Sequence, residues 1–329
     1  MVTSLPLVSV CIPAYNCEKY IAETLDCLFN QTYTNVEVIV VDDGSKDNTV
    51  SVLKEIKDPR FRYIVQQNRG AAAARNRAFE SSTGEYIKFM DADDLLNADN
   101  IKNQVTGISN QQDCIASSKW GRFFSDDVTT FSYTPESIWK DMPGIDWIVD
   151  SLKDHGSNMT QPGIFLIPRA IIEKVGLWNE SLSLIDDFEF MTKVIVNCRQ
   201  VLFCDNAVLM YRSGMQGSLS RLISRKHMES AFLAQTLGVK EILKVRNDPQ
   251  SRLACANSMQ LWAFIFYPVH SDLYKKIQTQ IDTLGGSDIK VKGSKMFELL
   301  SGFFGWRLVK RFKLFVLSLL GKKNFNSFR

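Results

Sequence analysis

The sequence predicts an α/β fold: a mostly parallel central sheet flanked by helices, with a C-terminal helical extension. Three observations point there. Short apolar runs alternate with segments of helical periodicity from Val8 to Phe89, the pattern of strands joined by helical crossovers. Three of those runs end in polar clusters: Pro13-Ala14-Tyr15-Asn16, Asp42-Asp43-Gly44-Ser45 and Asp91-Ala92-Asp93-Asp94. Past Ser220 the pattern becomes helical.

Taken in order, residues 8–12 form an apolar run closed by Pro13, a buried strand. Asn16 is placed to cap a helix carrying Tyr20, Ile21, Leu25, Leu28 and Phe29 on one side. Residues 36–41 give a second strand, and Val50, Leu53 and Ile56 or Lys57 follow at helical spacing. Residues 61–65 form a third strand, and the alanine-rich stretch 71–81 a helix. Tyr86, Ile87 and Phe89 suit a buried fourth strand, after which Asp94 can cap a helix over 95–105. Residues 107–160 carry Trp120, Phe123, Phe124, Trp139 and Trp147, more of which belong to the core than to a ligand site. Helices are expected over 230–244, 254–266 and 303–320.

Composition excludes several classes. A net charge of +3 is too weak for nucleic-acid binding, and no apolar run reaches the ~18 residues of a membrane span. Seven cysteines without a C-x-x-C pair, and no N-terminal apolar leader, predict core thiols in a reducing cytoplasm. Three histidines without H-E-x-x-H spacing argue against a histidine-bound zinc.

In open α/β sheets ligands bind beyond the carboxyl ends of the strands, where the three polar clusters converge. Asp91, Asp93 and Asp94 repel one another unless a cation or hydrogen-bond donors offset them, and a single helix cap explains only one of them. Hard oxygen ligands at a strand end suit a divalent cation or a polar ligand. Neither G-x-G-x-x-G nor G-x-x-x-x-G-K-[ST] is present. A pyrophosphate would have no glycine cradle, and a metal on the later carboxylates would substitute.

At these residues the chain resembles the family 2 glycosyltransferases, whose fold is GT-A, a Rossmann-like sheet flanked by helices. The opening strand and turn 8–16, the block 31–45, Asn68-Arg69-Gly70 through Ala74-Arg75-Asn76, and Gly84-Glu85-Tyr86 with Asp91-Ala92-Asp93-Asp94 carry the resemblance. So do Gly176-Leu177-Trp178-Asn179-Glu180-Ser181-Leu182 and Asp186-Asp187-Phe188-Glu189-Phe190. The match runs from about 7 to 220. It implies a GT-A domain over 1–220, with a nucleotide-binding half 1–105 and an acceptor and catalytic half 106–220, then a helical region 221–329.

The resemblance assigns roles. Pro13, Ala14 and Tyr15 would line the nucleobase pocket, Tyr15 by stacking, with Glu18 and Ala92 also on the donor nucleotide. Asp43 would accept from a uracil imide, and Arg75 would hold the nucleotide and its phosphates. Asp91 would contact the ribose, and Asp93 would bind Mn²⁺ or Mg²⁺ against the diphosphate. Asp187 would be the base that takes the acceptor hydroxyl proton, with inversion at the anomeric carbon. Structurally, Asp43 also suits a turn, Arg75 an exposed helix charge, and Asp186 or Asp187 a helix cap. One departure stands out: Gly214 occupies the usual histidine position of Tyr-Arg-x-His. That leaves fewer protein ligands for the metal, with Arg212 or the Gly217-Ser218 backbone available to the phosphates and the loop 213–220 available as a flap. The implied activity is transfer of a hexosyl group from a nucleotide-diphosphate sugar, UDP-linked, to a carbohydrate or lipid-linked acceptor. The alternative is a non-catalytic nucleotide-sugar-binding or scaffold protein.

The tail is basic, with Glu298 the one acid among the last ~30 residues. At helical spacing Leu308, Val309, Phe312, Phe315, Val316 and Leu319 share a face, opposite Arg307, Lys310, Arg311 and Lys313. Such a helix suits an in-plane anchor on an anionic membrane, continued by Lys322-Lys323, at the inner face of the cell membrane. Docking of the apolar face on the catalytic body, or on a second subunit of a homo-oligomer, is the other reading.

Overall fold

A computed structural model describes residues 5–214 and 224–319 of the chain. At its centre β1 (Val8–Ala14) runs parallel to β2 (Val36–Asp42) on one side and to β4 (Tyr86–Phe89) on the other. The outer strand β3 (Phe61–Val65) is parallel to β2. Because helices cover both faces, β2 and β4 are buried along their whole length, which is why they read as unbroken apolar runs. The crossovers are α1 (Ile21–Phe29), α2 (Thr49–Glu55) and α3 (Ala71–Glu80). Ala72, Ala73, Ala74 and Ala78 are buried on α3, which packs against β1 and β2.

Beyond β4 the sheet turns mixed. It continues through β9 (Phe165–Pro168), β6 (Cys114–Phe124) and β10 (Gln200–Ser213), ending on β5 (Leu95–Leu96). β9 is antiparallel to both its neighbours, whereas β6 and β10 are parallel to each other. β7 (Asp127–Ser132) pairs with β6, and β8 (Met142–Pro143) with β10. Among the aromatics of 107–160, Phe123 and Trp147 are buried and Trp120 and Trp139 pack partly buried against the core, whereas Phe124 is exposed.

Two expected caps are corrected. The helix expected over 95–105 starts later, as α4 (Asn100–Ile108), because Leu95 and Leu96 pair with Met210 and Leu209 of β10. Asp94 is not its cap; it is wholly buried. Asn16 does not cap α1, whose N-cap position is Tyr20. It sits at φ 50°, and its Oδ1 accepts from the Lys46 backbone N–H at 2.8 Å, which fastens the loop after β1 to the loop after β2.

The helices α5 (Gly144–Lys153), α6 (Arg169–Val175) and α7 (Asp186–Asn197) belong to the second half of the sheet domain. On α5 and α7 pack α8 (Arg225–Val245) and α9 (Pro249–Phe266), with α10 (Ser271–Thr283) against α9. Ser224 and Asp248 cap α8 and α9 through their side-chain oxygens. One continuous apolar core runs from Val8 to Ile281 through the sheet and these helices. All seven cysteines are free thiols, and six are buried.

The single helix expected over 303–320 is two helices, α11 (Lys295–Phe304) and α12 (Trp306–Leu319), broken at Gly305, whose φ of 76° ends α11. The packing of α12 departs from the docking reading, in which its apolar face would lie on the catalytic body. Val309 and Lys310 are its buried residues, and the Lys310 Nζ donates to the Phe264 carbonyl. Leu308, Phe312, Phe315 and Leu319 face outward, each 58–71% exposed. Among the described residues no helix is long and apolar enough to cross a membrane. Lys322, Lys323 and the terminal phenylalanines lie outside the described residues.

Candidate active site

The carboxyl ends of β1, β2 and β4 present the three polar clusters side by side, as their register requires: Ala14 pairs with Asp42, and Cys11 with Phe89. After β1, Tyr15 is 46% exposed, Ala14 is buried and Pro13 half-buried. The Glu18 carboxylate accepts from the Asn48 N–H at 2.7 Å, and the Glu18 N–H donates to Asp47 at 3.1 Å. The loop bearing Tyr15 is therefore held on the loop after β2. Asp43 is buried; one oxygen accepts from Gln66 and from the Arg69 N–H, both at 2.8 Å, and the other from the Gly70 N–H at 2.7 Å. These bonds tie β2 to the start of α3 and leave lone-pair capacity on the second oxygen.

The carboxylates after β4 have three different surroundings. Asp91 accepts from Arg75 at 2.8 Å and, through its other oxygen, from Gln161 at 3.4 Å. Asp94 accepts from the Gln161 amide at 2.6 Å and from the Arg212 backbone N–H at 3.0 Å. Burial, with Asp93 and Asp91 nearby, holds Asp94 well above the usual carboxylate range. Asp93 makes no side-chain hydrogen bond or ion pair among the described residues; only its carbonyl is engaged, accepting from Arg212 at 2.8 Å. Burial, and then the neighbouring Asp91, push Asp93 up to about 7, with Arg212 partly opposing. The Ala92 carbonyl accepts from Thr24 at 3.1 Å.

Arg212 itself is buried between the Tyr20 and Phe123 rings and pairs with Glu23 at 2.5 Å and Asp126 at 3.1 Å. Its guanidinium knits α1, the β6–β7 turn and the β4 loop together. Gly214, where a histidine was expected, takes φ 88°; the rest of the expected flap, 215–220, lies outside the described residues.

Arg75 is the hinge pin of the site. On α3, only 6% exposed, it reaches Asp91 through one terminal nitrogen at 2.8 Å and Asp186 through the other at 3.0 Å. Its guanidinium lies over the Trp178 ring at 4.5 Å. Burial works against its charge, but Asp91 and Asp186 outweigh it and keep Arg75 more basic than usual. Asp186 opens α7, and Asp187, next in its first turn, accepts from the Phe188 N–H at 2.9 Å. Burial, then Asp186, push Asp187 up to about 7, and Arg75 partly offsets them. Two carboxylate groups far apart in the chain are thus joined through one arginine.

Gln161 was missed at the sequence level. It hydrogen-bonds both Asp91 and Asp94, yet it lies outside every recognisable block, and its one signal is an amide placed beside Pro162 ahead of the apolar run 164–167. Among the described residues no group of three or more His, Cys, Asp or Glu side chains is arranged to hold a metal.

Comparison with known proteins gives a consistent picture. The model of glycosyl transferase family 2 matches residues 9–176. A chondroitin synthase from Escherichia coli is 45% identical over 100 residues, 30% of this chain and 15% of that protein. The E. coli UDP-Glc:alpha-D-GlcNAc-diphosphoundecaprenol beta-1,3-glucosyltransferase WfaP is 42% identical over 103 residues, 31% of this chain and 41% of that protein. The aligned stretch is thus less than half the length of either relative. S. aureus TarS 1–349 in complex with UDP superposes with a TM-score of 0.64 at 20% identity, over 93% of this chain and 90% of that one. That likeness shows the fold, a GT-A α/β sheet flanked by helices with a helical C-terminal region. With its model covering half of the sequence in the expected blocks, the chain belongs to glycosyl transferase family 2.

Proposed function

We propose that the protein is an inverting hexosyltransferase that moves a sugar from a UDP-linked donor to a hydroxyl of a carbohydrate or lipid-linked acceptor. The observation that carries this reading is the Arg75 bridge, which joins the Asp91 end of the sheet to the Asp186-Asp187 pair. Donor and acceptor carboxylates must lie close for one displacement, and a buried arginine between them supports that pairing. In this reading Tyr15 stacks on the base between Pro13 and Ala14, with Glu18 steadying the loop. The second Asp43 oxygen accepts from the imide, and Asp91 and the Ala92 backbone flank the ribose. Arg75 acts as a positioning residue, since both its terminal nitrogens are engaged. The UDP-bound TarS structure and the UDP-sugar in the name of WfaP support a UDP donor.

A divalent metal suits Asp93, a half-buried carboxylate whose side chain has no hydrogen-bond or ion-pair partner among the described residues, and oxygen ligands suit Mn²⁺ or Mg²⁺. Bound there, the ion would offset charge on the departing diphosphate. Asp187 accepts the acceptor hydroxyl proton as that oxygen attacks the anomeric carbon opposite the nucleotide. A carboxylate raised to about 7 is better matched to this task at neutral pH than an ordinary one.

We further place residues 1–220 as the transferase domain and 221–329 as an accessory helical region. Its outward face supports a peripheral position on the inner membrane surface: Leu308, Phe312 and Phe315 lie exposed beside Arg307 and Arg311. Incubation with UDP-, GDP- and TDP-sugars plus Mn²⁺ tests the enzyme: slow hydrolysis of a UDP-sugar is expected. If no sugar nucleotide is bound or turned over, with or without metal and acceptors, the transferase reading fails.

A further inference from the structure

The donor edge accounts for only one side of Asp187. On its other side lies a cleft of about 1590 Å³ between residues 153–160 of the sheet domain and the C-terminal helices, bounded by α9, the segment 287–292, α11 and the start of α12. None of Tyr15, Asp43, Asp91 or Asp93 lines it, whereas Asp187 does. Among these residues the cleft therefore meets the site at Asp187 alone.

Its lining has a definite chemistry. Thr160 and Gln260, 4% and 9% exposed, border the cleft and make no side-chain hydrogen bonds among the described residues. The Ser301 hydroxyl, also on the cleft, is buried without a partner. Buried polar groups are nearly always satisfied, so the unpaired Ser301 hydroxyl, with the unused Thr160 hydroxyl and Gln260 amide on the same wall, suits a ligand rich in hydroxyls. Trp262 and Trp306 add aromatic surface to the wall, suited to the apolar face of a sugar ring. The volume exceeds the roughly 300–1,000 Å³ of small-molecule sites, which fits an extended ligand rather than one sugar.

We propose that this cleft is the acceptor site, that it takes an oligosaccharide chain, and that the C-terminal helices select the acceptor. The proposal rests on the transferase reading, with Asp187 at the junction of donor and acceptor. The reacting hydroxyl enters at Asp187 while the preceding sugars lie along Thr160, Gln260 and the two tryptophans. The helical region then has an enzymatic role in addition to any contact with a membrane.

Gly302 gives a direct test. It borders the cleft from α11, and a Cβ added there would meet nothing within 4 Å, so Gly302→Trp introduces a bulky ring at the cleft wall from an open position. An array of defined oligosaccharides of one to eight sugars is the probe, and wild-type affinity should rise about tenfold or more between mono- and tetrasaccharides. Gly302→Trp should lose about tenfold or more of that affinity, and of transfer to the best oligosaccharide, with its melting temperature and UDP titration reporting the fold and the donor site. Thr160→Val, which deletes one hydroxyl at nearly constant volume, should raise acceptor KM several-fold with little change in kcat. The proposal is overturned if wild type binds no member of the array, if affinity does not grow with length, or if Gly302→Trp binds and transfers like wild type. Absence of UDP binding to wild type would instead overturn the transferase reading on which it rests.

Discussion

Asp187→Asn separates catalysis from folding. Asparagine keeps the shape and can still accept from the Phe188 N–H, but it removes a charge that burial and Asp186 disfavour. The Asp187 pKa rises from 3.8 to about 7, so at pH 8 the folded protein holds an ionised group that the unfolded chain ionises far more easily. A raised carboxylate pKa means the contribution to stability is full below about pH 4 and is lost as pH rises through 7. The loss is on the order of 2–4 kcal/mol, the upper figure being the whole displacement and the lower allowing for water at a half-buried side chain. The variant should therefore melt about 4–8 °C above wild type at pH 8. The gain should shrink toward zero as pH falls to 4, and calorimetry across that range measures it. Transfer should be abolished while UDP affinity stays within about twofold, and wild-type kcat/KM should climb through pH 7 to a plateau. Equal melting temperatures at pH 8, or loss of UDP binding together with transfer, would refute the role assigned to Asp187.

Other perturbations probe the rest of the site. Arg75→Met leaves Asp91 and Asp186 without their shared cation and should cost about 3–5 kcal/mol in urea denaturation, Arg75→Lys recovering only part because it lacks the second arm. Asp93→Asn should abolish the strengthening of UDP binding by Mn²⁺, by roughly tenfold or more, yet leave binding in EDTA unchanged; calorimetry with and without metal reads the difference. Tyr15→Ala should weaken UDP about tenfold through lost stacking while the melting temperature stays put, since the ring is largely exposed.

Much of the first half was legible because its information is local. Residues 61–65 were expected as a strand and form β3 without change; the alanine-rich run 71–81 differs from α3 by one residue. Buried parallel strands announce themselves as apolar runs. The second half depends on distant pairing. Leu95 and Leu96 look helical in isolation, but β10 supplies hydrogen bonds that no local pattern reveals. Asp94 reads as a cap for the same reason: its partner, the Arg212 N–H, lies 118 residues away. Trp120 and Phe123 belong to an 11-residue strand with Ser117, Ser118 and Lys119 within it, a composition that obscures its periodicity. In the tail the spacing located an amphipathic helix correctly but not which side of it packs. A wheel cannot show that Lys310 finds the Phe264 carbonyl while phenylalanines point away. Around the site, the family pattern brought out the carboxylates, but it could not foresee that Arg75 would spend its charge on Asp91 and Asp186, nor that Gln161 would stand between Asp91 and Asp94.

The Arg75 bridge also limits how this protein can be rebuilt. Donor preference invites exchange of the first hundred or so residues with those of a relative, a seam that the sheet alone would tolerate. Such a graft would carry Arg75 and Asp91 in from one parent and keep Asp186 from the other. A mismatch in the position of any one of the three would strand a buried charge, so the exchange unit is not the contiguous half. It is that half together with the start of α7, transplanted as one electrostatic part.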